Sequence, residues 1–315
     1  MNKYNEDFIT SNDLTYFLIG SVVGMSVLSL PNDVVEIARQ DGWISTIIGG
    51  WYPLYVVLAA SIIVKKCPDN NILFLSKRYM GKTIGSILNF IHMLTYLLFT
   101  VIITVYTSNI IQIYGVPFAT NGKISSIALA LAAYGAYKGI NVLGRVDKYI
   151  FFLMVILIMI SFTGLKYGSI LNIQPVFGSG PLDILKAVKG TFAAYAMMEV
   201  LLLIYPYVKD KKGITKAGLK CTWITILIYT WVVFITIYFL GVNIVPKSYW
   251  SFIMVNESIQ LPIINNFRFI FMFLWLISSF RVIANQYYAV SLILSDLFKF
   301  DRKKLCIFIL PIAFY

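Results

Sequence analysis

Thr191-Phe192-Ala193-Ala194-Tyr195-Ala196-Met197-Met198-Glu199-Val200-Leu201-Leu202-Leu203 carries one carboxylate in an otherwise apolar run, about ten residues ahead of Lys209. At about 1.5 Å per helical residue, Glu199 lies about 15 Å from that charged boundary, roughly half of a hydrocarbon core about 30 Å thick. A charge at that depth costs several kcal/mol unless something compensates it. Glu199 therefore either stays protonated or hydrogen-bonded to a neighbouring helix, or it is a ligand-binding or coupling residue.

The composition agrees with a membrane setting. Hydrophobic residues make up 59% of the 315 and charged residues only 13%, too little polar surface for a soluble globule. Apolar runs at about residues 14–31, 43–64, 84–114, 124–137, 149–165, 187–206, 219–241 and 267–297 predict an all-α polytopic membrane protein with eight complete spans, numbered 1 to 8 in order. A ninth run begins at Leu305 and reaches Tyr315 after about eleven residues, too short to cross, so a chain truncated within span 9 is expected. The first thirteen residues are polar and mixed in charge and lead directly into span 1, which predicts an anchor rather than a cleaved leader.

The net charge of +12 raises the question of nucleic acid, and the placement of the cations answers it. With alternate loops on opposite sides, one side collects Lys3, Lys65, Lys66, Lys77, Arg78, Lys82, Lys138, Arg145, Lys148, Lys209, Lys211, Lys212, Lys216, Lys220, Lys299, Arg302, Lys303 and Lys304, 18 of the 26. The other side has seven: Arg39, Lys123, Lys166, Lys186, Lys189, Lys247 and Arg268. That bias predicts a cytoplasmic N-terminus and accounts for the basic charge without a nucleic-acid partner. Cys67, Cys221 and Cys306 then fall at the reducing inner side, so no disulfide framework is expected. The one histidine, His92 in span 3, has no ligand-spaced partners, so neither a metal nor another cofactor is expected.

Span 1 reads Gly20-Ser21-Val22-Val23-Gly24-Met25-Ser26-Val27-Leu28-Ser29-Leu30-Pro31. Small residues at this density serve either close helix packing or a discontinuous helix, whose freed amides face an anion such as a carboxylate. Span 6, with Glu199, comes five spans later, an arrangement that inverted five-helix repeats produce. The first repeat would cover about residues 14–166 and the second, incomplete, about 187–315 of a single transmembrane domain. Asn71 to Met80 reads as an amphipathic helix along the inner surface, and the segment from Val245 to Asn266 as a short outer helix capping the bundle.

Span 8 contains Ser278, Ser279, Arg281, Asn285 and Gln286 within an apolar run. Arg281 is too deep to snorkel and needs an internal partner, for which Glu199 is the candidate. A wider polar network would add Ser278, Ser279, His92 and Tyr96. The two serines suit a sodium ion beside span 1, but a neighbouring Arg281 argues against a second cation there.

Span 1 resembles the first helix of the amino acid–polyamine–organocation transporter superfamily through Gly20, Gly24, Val27, Leu28, Leu30 and Pro31, with Ser26 where a glycine is usual. Span 6 resembles that superfamily's pattern through Phe192, Ala194, Tyr195 and Glu199. Met197 replaces a glycine and Met198 an aromatic, and methionine has no preference for open backbone. Within the superfamily the chain is similar to the B subunits of bacterial spore germinant receptors, the GerAB/GerKB-type family. Arg39-Gln40-Asp41-Gly42-Trp43-Ile44-Ser45, Gly139-Ile140-Asn141-Val142-Leu143-Gly144-Arg145, and Glu199, Leu201, Leu202 and Pro206 carry this second resemblance.

The resemblance implies a ten-helix fold of the LeuT type, here without most of its ninth helix and all of its tenth. It implies a nutrient-sensing subunit rather than an enzyme, and no cluster of nucleophile and base, phosphate loop or metal constellation suggests otherwise. A germinant such as an amino acid would bind between spans 1, 3, 6 and 8. A-type and lipoprotein C-type receptor subunits would be its partners in the spore inner membrane. Val23, Gly24, Met25 and Ser26 would offer backbone donors to a carboxylate, opposite Ala194, Tyr195 and Glu199. Two other readings stand beside the sensor: a proton- or ion-coupled amino-acid permease using the same pocket, and an inert fragment.

Overall fold

The computed structural model describes residues 8–258 and 267–314. Its α-helices are α1 (Ser11–Val22), α2 (Ser26–Ala38), α3 (Gly42–Gly49), α4 (Trp51–Lys66), α5 (Ile72–Met80), α6 (Lys82–Tyr114), α7 (Asn121–Lys138), α8 (Ile140–Ser161), α9 (Pro181–Ala187), α10 (Phe192–Tyr195), α11 (Val200–Ile204), α12 (Ile214–Leu240), α13 (Ser251–Ser258), α14 (Phe267–Phe298) and α15 (Arg302–Phe314). Among the described residues the one β-type pairing is an isolated bridge between Ile9 and Val208.

Six stretches among the described residues are long and apolar enough to cross a bilayer: Ser26–Lys66, Lys82–Tyr114, Ile140–Lys166, Pro181–Tyr207, Lys211–Leu240 and Ile270–Phe298. The protein is therefore a multi-pass membrane protein. The count differs from the eight expected for two reasons. Span 1 is interrupted, which leaves α1 as a half-helix of 12 residues. The run at 124–137 lies in α7, whose 18 residues open with Asn121, Gly122 and Lys123 and are polar again at Ser125 and Ser126.

α1 is the centre of the bundle. Every residue from Leu14 to Val22 is buried, and the helix packs against α8, α12 and α14. A helix apolar on all sides must be enclosed by other elements. Its start is fixed by a capping box, in which the Thr10 hydroxyl accepts the Asp13 amide and the Asp13 carboxyl accepts the Thr10 amide. Large side chains close the surrounding core, among them Phe17, Tyr195, Tyr229, Tyr287 and Phe252.

The loops sort to two ends as the charge count requires. At one end the strand-like segment at Ile9 exchanges backbone hydrogen bonds of 3.0 Å with Tyr207 and Lys209. There too the Tyr205 hydroxyl donates to the Cys67 and Asn70 carbonyls, Lys77 pairs with Asp296 at 2.5 Å, and Arg302 donates to the Ala136 carbonyl. At the opposite end Gln40 donates to the Pro175 carbonyl, while Asp41 accepts the amides of Phe177 at 2.8 Å and Ser179 at 2.9 Å. The described cation-rich loops thus share one end. The expected inner amphipathic helix is α5, whose first turn Asn71 caps by accepting the Phe74 amide. The expected outer helix is α13. Asn32 of α2 ties it down, donating to the Val245 carbonyl at 2.7 Å and accepting from the Ser251 hydroxyl at 2.8 Å. The remainder of that outer segment, 259–266, lies outside the described residues. All three cysteines are free thiols.

Candidate functional site

Two helices of the bundle are broken at the same level. Between α1 and α2, Val23 is extended at φ −85° and ψ 104°, and the helix resumes at Ser26. Between α10 and α11, Ala196 to Glu199 form turns, and Met197 adopts a left-handed φ of 73°. Span 6 is thus open despite methionine in the place of glycine. A left-handed residue with a side chain costs about 1–2 kcal/mol, so surrounding contacts hold it there.

One of those contacts joins the two breaks. The Tyr229 hydroxyl of α12 lies 2.9 Å from the Val22 carbonyl and 3.0 Å from the Ala194 carbonyl. Its single proton is shared between carbonyls that the broken helices cannot satisfy internally. Tyr229 is fully buried and packs edge-on against Tyr195, whose hydroxyl donates to the Thr46 carbonyl at 2.9 Å. Tyr229→Phe should therefore lower stability by about 1–3 kcal/mol, the usual penalty for orphaned buried polar groups, as read by thermal unfolding in detergent. An unchanged midpoint would show that the clasp between the breaks contributes nothing.

A cavity of about 570 Å³ opens beside the breaks. Its floor is formed by Gly24, Met25 and Ser26, with Val282 of α14 on one side and Ala193, Ala196 and Met197 of span 6 on another. Phe99, Ile103 and Tyr106 of α6 form a third wall, and Tyr249 and Trp250 reach over from the outer segment. Asn32, Asp33 and Glu36 of α2 line its mouth at the end opposite the cation-rich loops. The amides of Gly24 and Met25 donate to no protein acceptor among the described residues, and they sit at the positive end of α2. The site thus offers backbone donors at the floor, aromatic and aliphatic walls, and carboxylates at the rim.

Among the expected site residues, Gly24, Met25 and Ser26 line this cavity. Val23 lies just behind it, with its carbonyl turned to α14. Ala194 and Tyr195 are buried behind the wall and hold the break in shape. Glu199 immediately precedes α11, half-buried, its carboxyl against the backbone amides of Met197 and of Glu199 itself. Among the described residues no ion pair joins Glu199 to Arg281.

Arg281 makes no ion pair at contact distance among the described residues, and its Nε and Nη1 have no hydrogen-bond partner there. Arg281, 1% exposed, donates from Nη2 to the Val23 carbonyl at 3.1 Å and contacts the Met154 sulfur at 3.2 Å. The carboxylate whose charge bears on it belongs to Asp147 of α8, also 1% exposed. Asn285 Nδ2 donates to Asp147 Oδ2 at 2.9 Å. The reason is rotational: α14 turns Arg281 toward α1 and α8, away from the amides that occupy Glu199. The wider network does not form either. His92 lines a groove with α5 residues at the cation-rich end, its ring tilted against that of Tyr96 at 5.4 Å, while His92 Nε2 and the Tyr96, Ser278 and Ser279 hydroxyls have no hydrogen-bond partner among the described residues.

Comparison with known proteins agrees with this geometry. The fold matches MhsT, solved in complex with L-phenylalanine, at a TM-score of 0.75 and 15% identity, covering 98% of this chain and 79% of that one. It matches Mhp1, a nucleobase-cation-symport-1 family transporter solved in a closed conformation with bromovinylhydantoin, at 0.67 and 14%, covering 100% and 74%. The architecture is therefore that of the LeuT-type transporters. In sequence, spore germination protein GerQB of Bacillus cereus is 24% identical over 277 residues, 87% of this chain and 76% of that protein. YndE of Bacillus subtilis (strain 168) is 26% identical over 315 residues, 97% and 85%, and spore germination protein KB of the same organism 23% over 304 residues, 92% and 79%. A family model described as spore germination protein matches residues 8–315, and the chain belongs to that family.

Proposed function

We propose that this chain is the ligand-sensing membrane subunit of a spore germination receptor, and that it binds a small nutrient in the cavity between its two helix breaks. The observation that carries the reading is the juxtaposition of unpaired amides at Gly24 and Met25 with a cavity of about 570 Å³, within the range of small-molecule sites. An amino acid suits this chemistry. Its carboxylate meets the start of α2, its side chain the walls of α6 and span 6, and Asp33 and Glu36 favour entry of an ammonium-bearing ligand. Val23, Ala194, Tyr195 and Glu199 then support the pocket by fixing the breaks.

Binding favours one arrangement of the broken helices, and the shift is read by A-type and C-type receptor subunits in the spore inner membrane. In this reading the chain makes eight crossings arranged as inverted five-helix repeats, with the cation-rich end and the N-terminus in the cytoplasm. The likeness to two transporters supports a second reading, in which the same cavity serves an amino-acid permease.

The test is thermal unfolding of the purified protein against a panel of L-amino acids, for the wild type and for Ile103→Trp, which fills the cavity from α6. At a ligand concentration of about 100 Kd, binding adds about 2.7 kcal/mol. One or a few ligands should raise the wild-type midpoint and leave the variant unmoved. A variant that responds like the wild type would remove the cavity from consideration. Uptake of the same ligand into proteoliposomes separates the readings, since a sensor should not accumulate it.

A further inference from the structure

The interruption after Val22 leaves the last carbonyls of α1 without partners in their own helix. They stand at the negative end of a half-helix dipole, and in discontinuous membrane helices such carbonyls coordinate a small cation. Here side chains from α12 and α14 reach them. Gln286 Nε2 donates to the Ser21 carbonyl at 3.2 Å and the Tyr229 hydroxyl lies 2.9 Å from the Val22 carbonyl, while a turn earlier Asn285 Nδ2 approaches the Phe17 carbonyl at 3.4 Å. At the break itself Arg281 Nη2 donates to the Val23 carbonyl at 3.1 Å.

We propose that Arg281 is a built-in cation: its guanidinium takes the position where a discontinuous span 1 would otherwise bind a mobile metal ion, and Asp147 is its fixed counter-charge. Three features of the site carry this. Arg281 is fully buried, so its charge must be balanced within the protein, and Asp147 is a fully buried acid held by Asn285, one turn after Arg281 on α14. Asn285 links the two halves of the arrangement, because its amide donates to Asp147 at 2.9 Å while lying against the Phe17 carbonyl. Asp147 also lies directly on α1, where a Cβ on Gly20 would stand 2.5 Å from its Oδ1. Glycine at 20 is what lets the carboxylate sit against the half-helix.

A guanidinium differs from a bound ion in two respects that matter for function. It is held by a covalent bond and cannot exchange with the medium, and it stays protonated at any physiological pH. No ion gradient can act through a position that it fills. The hydroxyls of Ser278 and Ser279, which have no partners among the described residues, do not convert the place into a second cation site, because Arg281 repels a positive charge next to it. The conformation of the break should then respond to the organic ligand alone. This inference goes beyond the sensor reading and does not rest on it.

The test uses the full-length protein in detergent, with sodium ion as the probe and no amino acid present. Its failure and the failure of the sensor reading are therefore distinguishable. Thermal midpoints are compared in sodium chloride and choline chloride at equal ionic strength. The wild type should show no sodium-specific shift. Arg281→Ala leaves the Val23 carbonyl, the Asp147 carboxylate and the two serine hydroxyls around a vacated space, and its midpoint should rise with sodium and not with choline. A sodium-dependent rise in the wild type overturns the proposal, and so does a folded Arg281→Ala protein that ignores sodium. If the alanine variant fails to fold, Arg281→Lys keeps the charge and should be as indifferent to sodium as the wild type, and a sodium-responsive lysine variant overturns the proposal as well.

Discussion

Arg281→Met should lower the stability of the protein by about 3–5 kcal/mol, the range found when one partner of a buried charge arrangement is removed. Methionine keeps the length and much of the volume, so the loss comes from charge and hydrogen bonding rather than from a cavity. What remains is the Asp147 carboxylate, 1% exposed, with Asn285 as its hydrogen-bond donor and no cation nearby, together with a Val23 carbonyl that has lost the Arg281 donor. Asp147→Asn alone should also destabilise, because it strands the guanidinium. The double variant removes both charges and should recover much of the loss, since replacing a whole buried pair by neutral groups is often tolerated. Denaturation midpoints of the four proteins form a double-mutant cycle. Additive single effects would mean that Arg281 and Asp147 do not act as a pair.

The pair also shows where the sequence stops being readable. The depth of Arg281 was evident, because an arginine thirteen residues from one charged boundary and eighteen from the next has no route to water. The buried acid of α8 was not evident. Asp147 stands between Arg145 and Lys148, and in one dimension it reads as part of a charged loop end. In the helix, Leu143, Gly144, Asp147, Ile150 and Met154 form one buried stripe, while Arg145 is exposed. That stripe has the spacing of a helix face. It gave no signal because the lipid-facing residues around it, such as Val142, Val146 and Tyr149, are apolar too, and periodicity needs contrast.

The break in span 1 was legible because Gly20, Gly24 and Ser26 cluster near its middle. The break in span 6 was only half legible. Met197 carries a side chain through a left-handed conformation that glycine adopts freely, so local preference pointed to a continuous helix. Tertiary contacts decided otherwise: Tyr229 takes the Ala194 carbonyl on one side of the turn, and Glu199 takes amides on the other. Nothing marks Tyr229 in a run that also holds Trp223, Trp231 and Tyr238. Glu199 stands out in the sequence by its apolar surroundings, and its partners are backbone groups that exist only because the helix is open.

The second large effect is expected at Gly24. A Cβ there would lie 2.5 Å from Val282 Cγ2, closer than any real contact, and both residues line the cavity. Gly24→Ala must push α14 away from the break or shift the break itself, and overpacking of this kind costs about 1–3 kcal/mol. The more telling loss is in binding. The Gly24 and Met25 amides are aimed by the local backbone, and a displaced floor no longer presents them together to one carboxylate. Loss of one charge-assisted hydrogen bond, worth about 1.5–3 kcal/mol, corresponds to at least a tenfold weaker response to whichever amino acid stabilises the wild type. Val282→Ala removes the methyl groups that the added Cβ would strike. The double variant Gly24→Ala, Val282→Ala should therefore regain stability and much of the ligand response, although Gly24→Ala alone loses both. Recovery of stability without recovery of the response would assign Gly24 a direct role in holding the ligand, since the steric conflict would then be gone and the floor alone altered. A Gly24→Ala protein that binds as tightly as the wild type would show that the ligand does not use the start of α2, and the site would have to be sought among the aromatic walls instead.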